Sequence, residues 1–342
     1  MQPPVPLLVL AVLRLVLEIA PPRRAAADPL AVIGPAQPIR YRNLSTLEDE
    51  VPLARDAQQR AEGLAGKIIE DVRAGRKLAL QDVNDAVEPI VRSVLRHADA
   101  FFWINSLRKR DAYAYSHAIN CSALAAAFGR HLGFPEEELI DLASGGLLLD
   151  VGKALLPERL LAHPGPLSDA QMAEVRTHVE AGLRILGDTG MDNDNVRHML
   201  RTHHERHDGS GYPHGLEATQ IPLFGRFAAV IDCFDAMTSE RAYCRALSRH
   251  DALQQLYRGS GTLFQREIVE QLTQCLGVYP TGSLVELNTG EVAIVMAQNQ
   301  ARHLRPRVLL LTGGDKQLDT RFRQVDLMVQ PEGGGAGIVH IV

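Results

Sequence analysis

The 342-residue chain has four cysteines, Cys121, Cys233, Cys244 and Cys275, too few and too scattered for a zinc ribbon or a disulfide-stapled secreted fold. Buried free thiols in a reducing compartment are expected, and with them a cytoplasmic protein. Positive charge is not in excess either. The 36 Lys and Arg stand against 41 Asp and Glu, a formal net charge of −5, so no broad cationic face is available for a DNA or RNA polymer. A local basic cluster facing a small phosphorylated ligand remains compatible with that balance. Internal repeats and extended low-complexity tracts are missing, apart from Gly333-Gly334-Gly335 near the C-terminus. No uninterrupted apolar run is long enough to cross a bilayer. Val5 to Ala20 comes nearest, but Arg14 and Glu18, four residues apart, put two charges on one helical face. Ala25-Ala26-Ala27 resembles a leader cleavage site, yet no Lys or Arg precedes the apolar run and Arg23-Arg24 directly precede the alanines. Residues 1–45 therefore read as an irregular or disordered start, with no stable membrane span.

The hydrophobic fraction of 46% supplies a substantial core for one large domain or two ordinary ones. Residues 46–108 form a helical lead-in. Leu53, Ala54, Ala57, Ala61, Leu64, Ile68 and Val72 recur at steps of three and four, Gly75 breaks the pattern, and Val83, Val87, Ile90, Val91 and Val94 mark a second helix over Gln81 to Arg96. These stripes serve to pack on the next domain, or alternatively to pair two copies of the chain as a homodimer. Residues 109–276 are helix-rich, with segments at Tyr113 to Leu132, Pro135 to Leu149, Ser168 to Leu186, Val196 to His204 and Phe224 to Thr238. Gly133-Phe134-Pro135 separates the first two, and Ser168 with Gln171 has the spacing of a capping box. From 277 to 330 the composition turns to short Val- and Leu-rich runs, Ser283 to Leu287, Glu291 to Ala297 and Arg307 to Leu311, divided by breakers such as Asn288-Thr289-Gly290. This reads as a small β appendage, followed by a tail at 331–342.

The chemistry concentrates in a few short runs. His203-His204-Glu205-Arg206-His207-Asp208-Gly209-Ser210-Gly211-Tyr212-Pro213 joins adjacent imidazoles and acids to a Gly-rich turn. That combination suits a place where a metal and a ligand meet, although a polar surface loop would also accommodate it taken alone. Upstream lie Ser116-His117, Leu149-Asp150-Val151-Gly152-Lys153 and His178; downstream lies Ile231-Asp232-Cys233-Phe234-Asp235-Ala236-Met237-Thr238-Ser239-Glu240-Arg241. A single histidine such as His178 is more often structural than a ligand, and Asp232 alone could be a surface acid. Their occurrence together, in this order, favours a metal site.

Taken together, these runs resemble the HD-GYP family, metal-dependent phosphodiesterases of the HD superfamily, over about Leu47 to Leu327. The resemblance implies a mainly α fold, an HD-superfamily helical domain with an N-terminal helical lead-in and a small C-terminal β appendage. It also implies two divalent ions. His117, Asp150 and Asp232 match the positions that hold the first, with Asp150 bridging, and His178, His203 and His204 match those around the second. Iron or manganese is what the family implies; by ligand type alone zinc and nickel are equally suited. Such a pair activates water and stabilises charge on an attacked phosphate. Where the family shows His-Asp, this chain has Leu149-Asp150, so one imidazole is replaced by a side chain without a lone pair and the first ion should be held less tightly. Tyr113 stands where members with a third metal carry glutamate, so two ions at most are expected.

On the ligand side, the resemblance makes Lys153 a catalytic and substrate contact near Asp150, Tyr212 a stacking surface for a base in the GYP loop, and Arg241 a phosphate clamp. Family members often carry a further basic residue where this chain has Cys244, and Arg245 can substitute for it. The implied activity is hydrolysis of cyclic di-GMP to linear pGpG and onward to GMP in bacterial second-messenger signalling, with diguanylate cyclases bearing GGDEF domains as partners recruited by the GYP loop. Two other readings compete. One is a catalytically impaired receptor or docking platform disabled by Leu149; the other is a phosphohydrolase acting on a different nucleotide.

Overall fold

A computed structural model describes residues 32–107, 113–163, 165–239, 246–299, 302–330 and 335–342. The described residues divide into two compact units, one running from Gln37 to Cys275 and one combining those from Leu276 to Val342 with residues 32–36. The lead-in helices belong to the first unit.

In that unit α1 (Leu47–Arg73) starts at Thr46, whose hydroxyl accepts from the Asp49 backbone N–H, with Glu48, Asp49 and Glu50 in the positively polarised first turn. Its buried stripe is Leu47, Ala54, Ala57, Ala61, Ala65, Ile68 and Val72. Leu53, expected within it, lies one position off and is 49% exposed, because one residue along a helix turns a side chain by about 100°. After Gly75, held at φ +68°, comes α2 (Leu80–Arg96), in which Val83, Val87, Ile90, Val91 and Val94 are all buried as the periodicity predicts. A short aromatic helix, α3 (Ala100–Ser106), buries Phe101, Phe102 and Trp103.

The helices that carry the candidate site follow. They are α4 (Tyr113–Leu132), α5 (Glu136–Leu148), the short α6 (Glu158–Leu161), α7 (Asp169–Arg176), α8 (His178–Thr189), α9 (Asp194–Thr202) and α10 (Leu223–Thr238), then α11 (Arg249–Arg258) and α12 (Arg266–Leu276). The Ser168–Gln171 capping box forms at the start of α7. The single helix expected from Ser168 to Leu186 is instead two, α7 and α8, divided at Thr177. The Thr177 hydroxyl donates to the Glu174 carbonyl at 2.7 Å, the local side-chain bond by which threonine competes with helical continuation. Helix α10 is locked by edge-on aromatic contacts to α4, Phe128 to Phe227 at 5.0 Å, and to the α4–α5 connection, Phe134 to Phe227 at 6.0 Å between centroids. Among the described residues no helix is long and apolar enough to cross a membrane.

The C-terminal unit is a five-stranded antiparallel sheet in the order β4-β3-β2-β1-β5. Its strands are β1 (Leu284–Leu287), β2 (Val292–Ala297), β3 (Arg307–Leu310), β4 (Gln324–Asp326) and β5 (Ile338–Ile341). Alternate residues Val285, Leu287, Ala293, Val295, Val308 and Leu310 form its core with Val278, Tyr279 and Leu327, as period-two patterning requires. The first three strands fall where their apolar runs put them. The other two were not anticipated, and the assignment of 331–342 to a tail needs correction, because Val285, Glu286 and Leu287 pair with Ile341, His340 and Ile338. Neither β4 nor β5 shows a clean alternation in burial, so pairing partners rather than local pattern define them.

Phe227 is fully buried at the α4–α10 contact. Phe227→Ala should destabilise the protein by about 3–5 kcal/mol, the range for emptying an aromatic core site, read from the denaturant midpoint at unchanged slope.

Candidate metal centre

Five separate segments bring donors to one place. Helix α4 carries His117 and Cys121, the residue after the α5 C-cap is Asp150, and a 3-10 turn, Val151–Leu155, carries Lys153. His178 opens α8, His203 and His204 follow α9, and Asp232 and Asp235 lie on α10. Gly152 makes part of this possible. A Cβ there would sit 2.0 Å from the His178 carbonyl oxygen and 2.6 Å from the Gly182 nitrogen, so only glycine lets the turn lie directly against α8 and set Asp150 beside His178.

Asp150 is the hub. Its Oδ1 lies 3.4 Å from His178 Nε2 and 3.8 Å from His203 Nε2. Its Oδ2 lies 3.5 Å from His117 Nε2 and 2.6 Å from Lys153 Nζ. His117 Nε2 is also 3.2 Å from Asp232 Oδ1, and His204 Nδ1 is 3.8 Å from Asp232 Oδ2. Donor atoms of Asp150, His178, His203 and His204 all fall within 4.8 Å of one another, and so do those of His117, Cys121 and Asp232.

The ring orientations are fixed from behind. Nδ1 of His178 contacts the Val175 carbonyl at 2.7 Å and Nδ1 of His203 the Leu200 carbonyl at 2.9 Å. A carbonyl only accepts, so each Nδ1 carries the proton and each neutral ring turns an Nε2 lone pair inward. Those two lone pairs stand 3.4 Å apart, facing a carboxylate oxygen. Asp150 Oδ1 and His204 Nε2 are both buried without a hydrogen-bond partner. Unprotonated nitrogens and an unpartnered carboxylate oxygen repel one another unless a cation lies between them, and imidazole with carboxylate is a fitting donor set for a divalent transition metal. His117 is held by Asp235, whose Oδ2 is 2.7 Å from Nδ1 and which also accepts from the Ser239 hydroxyl at 3.2 Å. This is the carboxylate–histidine support typical of metal ligands.

The electrostatics agree with a site that prefers metal to protons. Burial pushes His178 down to about 4 and His204 down to about 2, so both rings keep their lone pairs far into acid. Burial would raise Asp150, but the Lys153 ammonium and a protonated His117 hold it well below the usual carboxylate range. Burial would likewise lower His117, and Cys121, Asp232 and Asp235 outweigh that effect and raise it. In the metal-free protein, a proton on His117 occupies the place a cation would take.

The turn after His204 forms one wall. Glu205 is buried and accepts from the His214 and Leu216 backbone N–H groups at 2.8 and 3.0 Å, which curls the loop back on itself. A Cβ at Gly211 would meet Arg206 N, Glu205 Cα and His204 O at 2.4 to 2.5 Å, so the backbone closes only with glycine. Tyr212 then stacks on His204, centroids 4.5 Å apart at 28°, with the Arg176 guanidinium 4.7 Å from the Tyr212 ring centroid. Tyr212-Pro213 is cis.

All six expected metal-binding residues, His117, Asp150, His178, His203, His204 and Asp232, converge here, with Lys153 and Tyr212 beside them. Arg241 and Arg245 lie outside the described residues, as does the Tyr113 side chain. Leu149 is buried and offers no donor. Sequence reasoning missed Asp235, Glu205, Arg176 and Cys121 as parts of the site. Glu205 stood inside the His203–Pro213 run, Cys121 one helical turn after His117 and Asp235 one turn after Asp232, so each carried a local signal, whereas Arg176 carried none.

Comparison with known proteins places this geometry in a class. A family profile described as HD domain matches residues 102–268, so the site belongs to an HD-domain protein. Over 303 residues the chain is 33% identical to a cyclic di-GMP phosphodiesterase of Pseudomonas aeruginosa, covering 89% of this chain and 72% of that protein. Over 277 residues it is 31% identical to the cyclic di-GMP phosphodiesterase response regulator RpfG of Xanthomonas campestris, covering 77% and 68%. An HDG"Y"P protein of Bdellovibrio bacteriovorus shares the fold, with TM-score 0.54 and 18% identity over 65% of this chain and 71% of that one. The chain belongs to the HD-GYP family.

The depressed His178 and His204 values give a pH dependence of defined sign. Between about 6.5 and about 5 the unfolded chain takes up protons that the native rings refuse, so stability of the metal-free protein is full above this window and declines as pH falls through it. His178 alone accounts for roughly 2 kcal/mol over that span. His117 is raised, so its stabilisation is fully present below about 6.5 and weakens above it, which opposes the loss from His178 in the upper part of the range without reversing it. Equilibrium unfolding at pH 7 and pH 5 should show the loss, and His178→Gln should reduce it.

Proposed function

We propose that the protein hydrolyses cyclic di-GMP to linear pGpG and onward to GMP, with Asp150 serving two divalent ions at once. The observation that carries this reading is the Asp150 carboxylate, one oxygen facing His178 and His203 and the other facing His117. His117, Asp150 and Asp232 would hold the first ion, and Asp150, His178, His203 and His204 the second. Iron or manganese bound there supplies Lewis acidity and activated water for attack on phosphorus. The curated relatives' names, which specify cyclic di-GMP, support the choice of substrate.

The remaining residues bind and orient. Lys153 Nζ donates to Asp150 Oδ2 at 2.6 Å from a side chain that is one-third exposed, and its ammonium is the proposed contact for a non-bridging phosphate oxygen. Its charge therefore serves both the ligand carboxylate and the substrate. Tyr212 offers a ring for a guanine to stack on, already braced by His204 and Arg176. Burial raises the Tyr212 phenol, so this residue acts as a neutral platform and hydrogen-bond donor. Arg241 and Arg245 are proposed contacts for the second phosphate. Among the described residues Cys121, Cys233 and Cys275 form no disulfide, which suits the proposed work in the reducing cytoplasm. GGDEF-bearing cyclase domains, and a second copy of the chain through the lead-in helices, are the proposed partners.

Anaerobically metal-loaded protein should convert cyclic di-GMP to pGpG in a chromatographic product assay, and Asp150→Ala should leave no detectable turnover. Lys153→Ala should cost about 10–100-fold in kcat/KM, about 1.4–2.7 kcal/mol. Failure to open the substrate with iron, manganese, zinc or nickel would contradict the proposal.

A further inference from the structure

One cation beside the centre has no anionic partner. Arg176 ends α7, and its side chain is exposed. Among the described residues it pairs with no acid; its contact is the Tyr212 ring, whose centroid lies 4.7 Å from the guanidinium carbon. Its N–H donors are therefore open to a ligand. The backbone beneath is held from both sides. The Val175 carbonyl accepts from His178 Nδ1 at 2.7 Å, and the Thr177 hydroxyl donates to the Glu174 carbonyl at 2.7 Å, so the arginine extends from an ordered root.

The place that Arg176 occupies is the one a base would need. His204 stacks on Tyr212 with centroids 4.5 Å apart at 28°, and an imidazole so close leaves a second flat group the other face of the ring. Arg176 holds that face. The Tyr212 phenol also feels the Asp150 and Asp232 carboxylates, so the ring lies between the metal centre and the guanidinium.

Lifting the guanidinium costs little. A cation over an exposed aromatic ring is worth about 2- to 5-fold in binding, whereas an arginine fork on the O6 and N7 acceptors of guanine discriminates between bases by about 5- to 150-fold. Adenine presents an amino donor where guanine has O6. An arginine displaced by adenine finds one acceptor there, beside a donor that repels it.

We propose that Arg176 selects guanine. In the free protein its guanidinium covers the Tyr212 ring; a base stacking on Tyr212 moves it to the base's own edge, where it donates two parallel hydrogen bonds to guanine O6 and N7. This specificity role falls to a residue outside the metal ligands and outside the phosphate contacts Lys153, Arg241 and Arg245. The inference rests on the reading of the centre as a cyclic di-GMP site, but its test needs no turnover.

Calorimetry on the metal-loaded full chain with GMP and AMP provides that test, since the two mononucleotides share a phosphate and differ in the base. The wild-type chain should bind GMP at least about 10-fold more tightly than AMP, within the range for one bidentate arginine–guanine pair. Arg176→Ala should lose most of that preference through weaker GMP binding, with AMP unchanged or up to about 5-fold tighter once the cover is gone. Arg176→Lys keeps the charge without the planar fork, so it should behave like Arg176→Ala. Because Arg176 is exposed, both substitutions leave the core untouched. Absence of a guanine preference in the wild-type chain, equal loss of both nucleotides in Arg176→Ala, or full rescue by Arg176→Lys overturns the assignment; the last two identify a plain charge or phosphate contact. If the preference disappears in Arg176→Ala while cyclic di-GMP stays intact with every metal, the base assignment stands and the hydrolytic reading fails. Cleavage of cyclic di-GMP without that preference defeats the inference alone.

Discussion

The structure depends on the confrontation of one buried carboxylate with several imidazole lone pairs. Asp150 sits where α4, α8, α9, α10 and the turn after α5 meet, and its Oδ1 is buried with no hydrogen-bond donor from the protein. In the metal-free chain that arrangement is unfavourable, since a buried carboxylate oxygen without a donor, set against imidazole lone pairs, costs free energy. A cation reverses the sign. Each lone pair that repels its neighbour then becomes a bond to the same ion, and the free energy of metal binding becomes part of the free energy of folding. The Lys153 ammonium at 2.6 Å offsets part of the charge in either state.

Everything around the hub prevents the donors from relaxing apart. The Val175 and Leu200 carbonyls and the Asp235 carboxylate fix three imidazoles through their outward nitrogens, which leaves their inward nitrogens no alternative tautomer to adopt. Aromatic packing of Phe128 and Phe134 on Phe227 sets α10 against α4, and with it Asp232 against His117. The Gly211 turn brings Tyr212 onto His204, so the surface offered to a base is braced by a metal-binding residue.

Much of this was legible in one dimension because metal ligands arrive in short runs whose neighbours constrain them. The His203-His204 pair, the Asp150-Val151-Gly152-Lys153 run and the glycines before Tyr212 each combine residue types that packing alone does not demand. Helices with a clean apolar period, such as α2, were equally readable. What escaped was information carried by tertiary contact. Arg176 is 36 positions from Tyr212 in the chain, and nothing local announces their stacking. Glu205 looked like part of a ligand run but serves the loop backbone. Strands β4 and β5 are too short and too evenly half-buried to show a period.

The central claim, that inward nitrogens and Asp150 converge because cations belong between them, is tested most directly by anomalous X-ray scattering from manganese- or iron-loaded crystals. The account predicts an anomalous peak bonded to His178 Nε2, His203 Nε2 and Asp150 Oδ1, at the roughly 2.0–2.2 Å usual for such ligands, with a second beside His117 and Asp232. Absence of a peak between those atoms, with the imidazoles reoriented so that protons rather than lone pairs face Asp150, would contradict it.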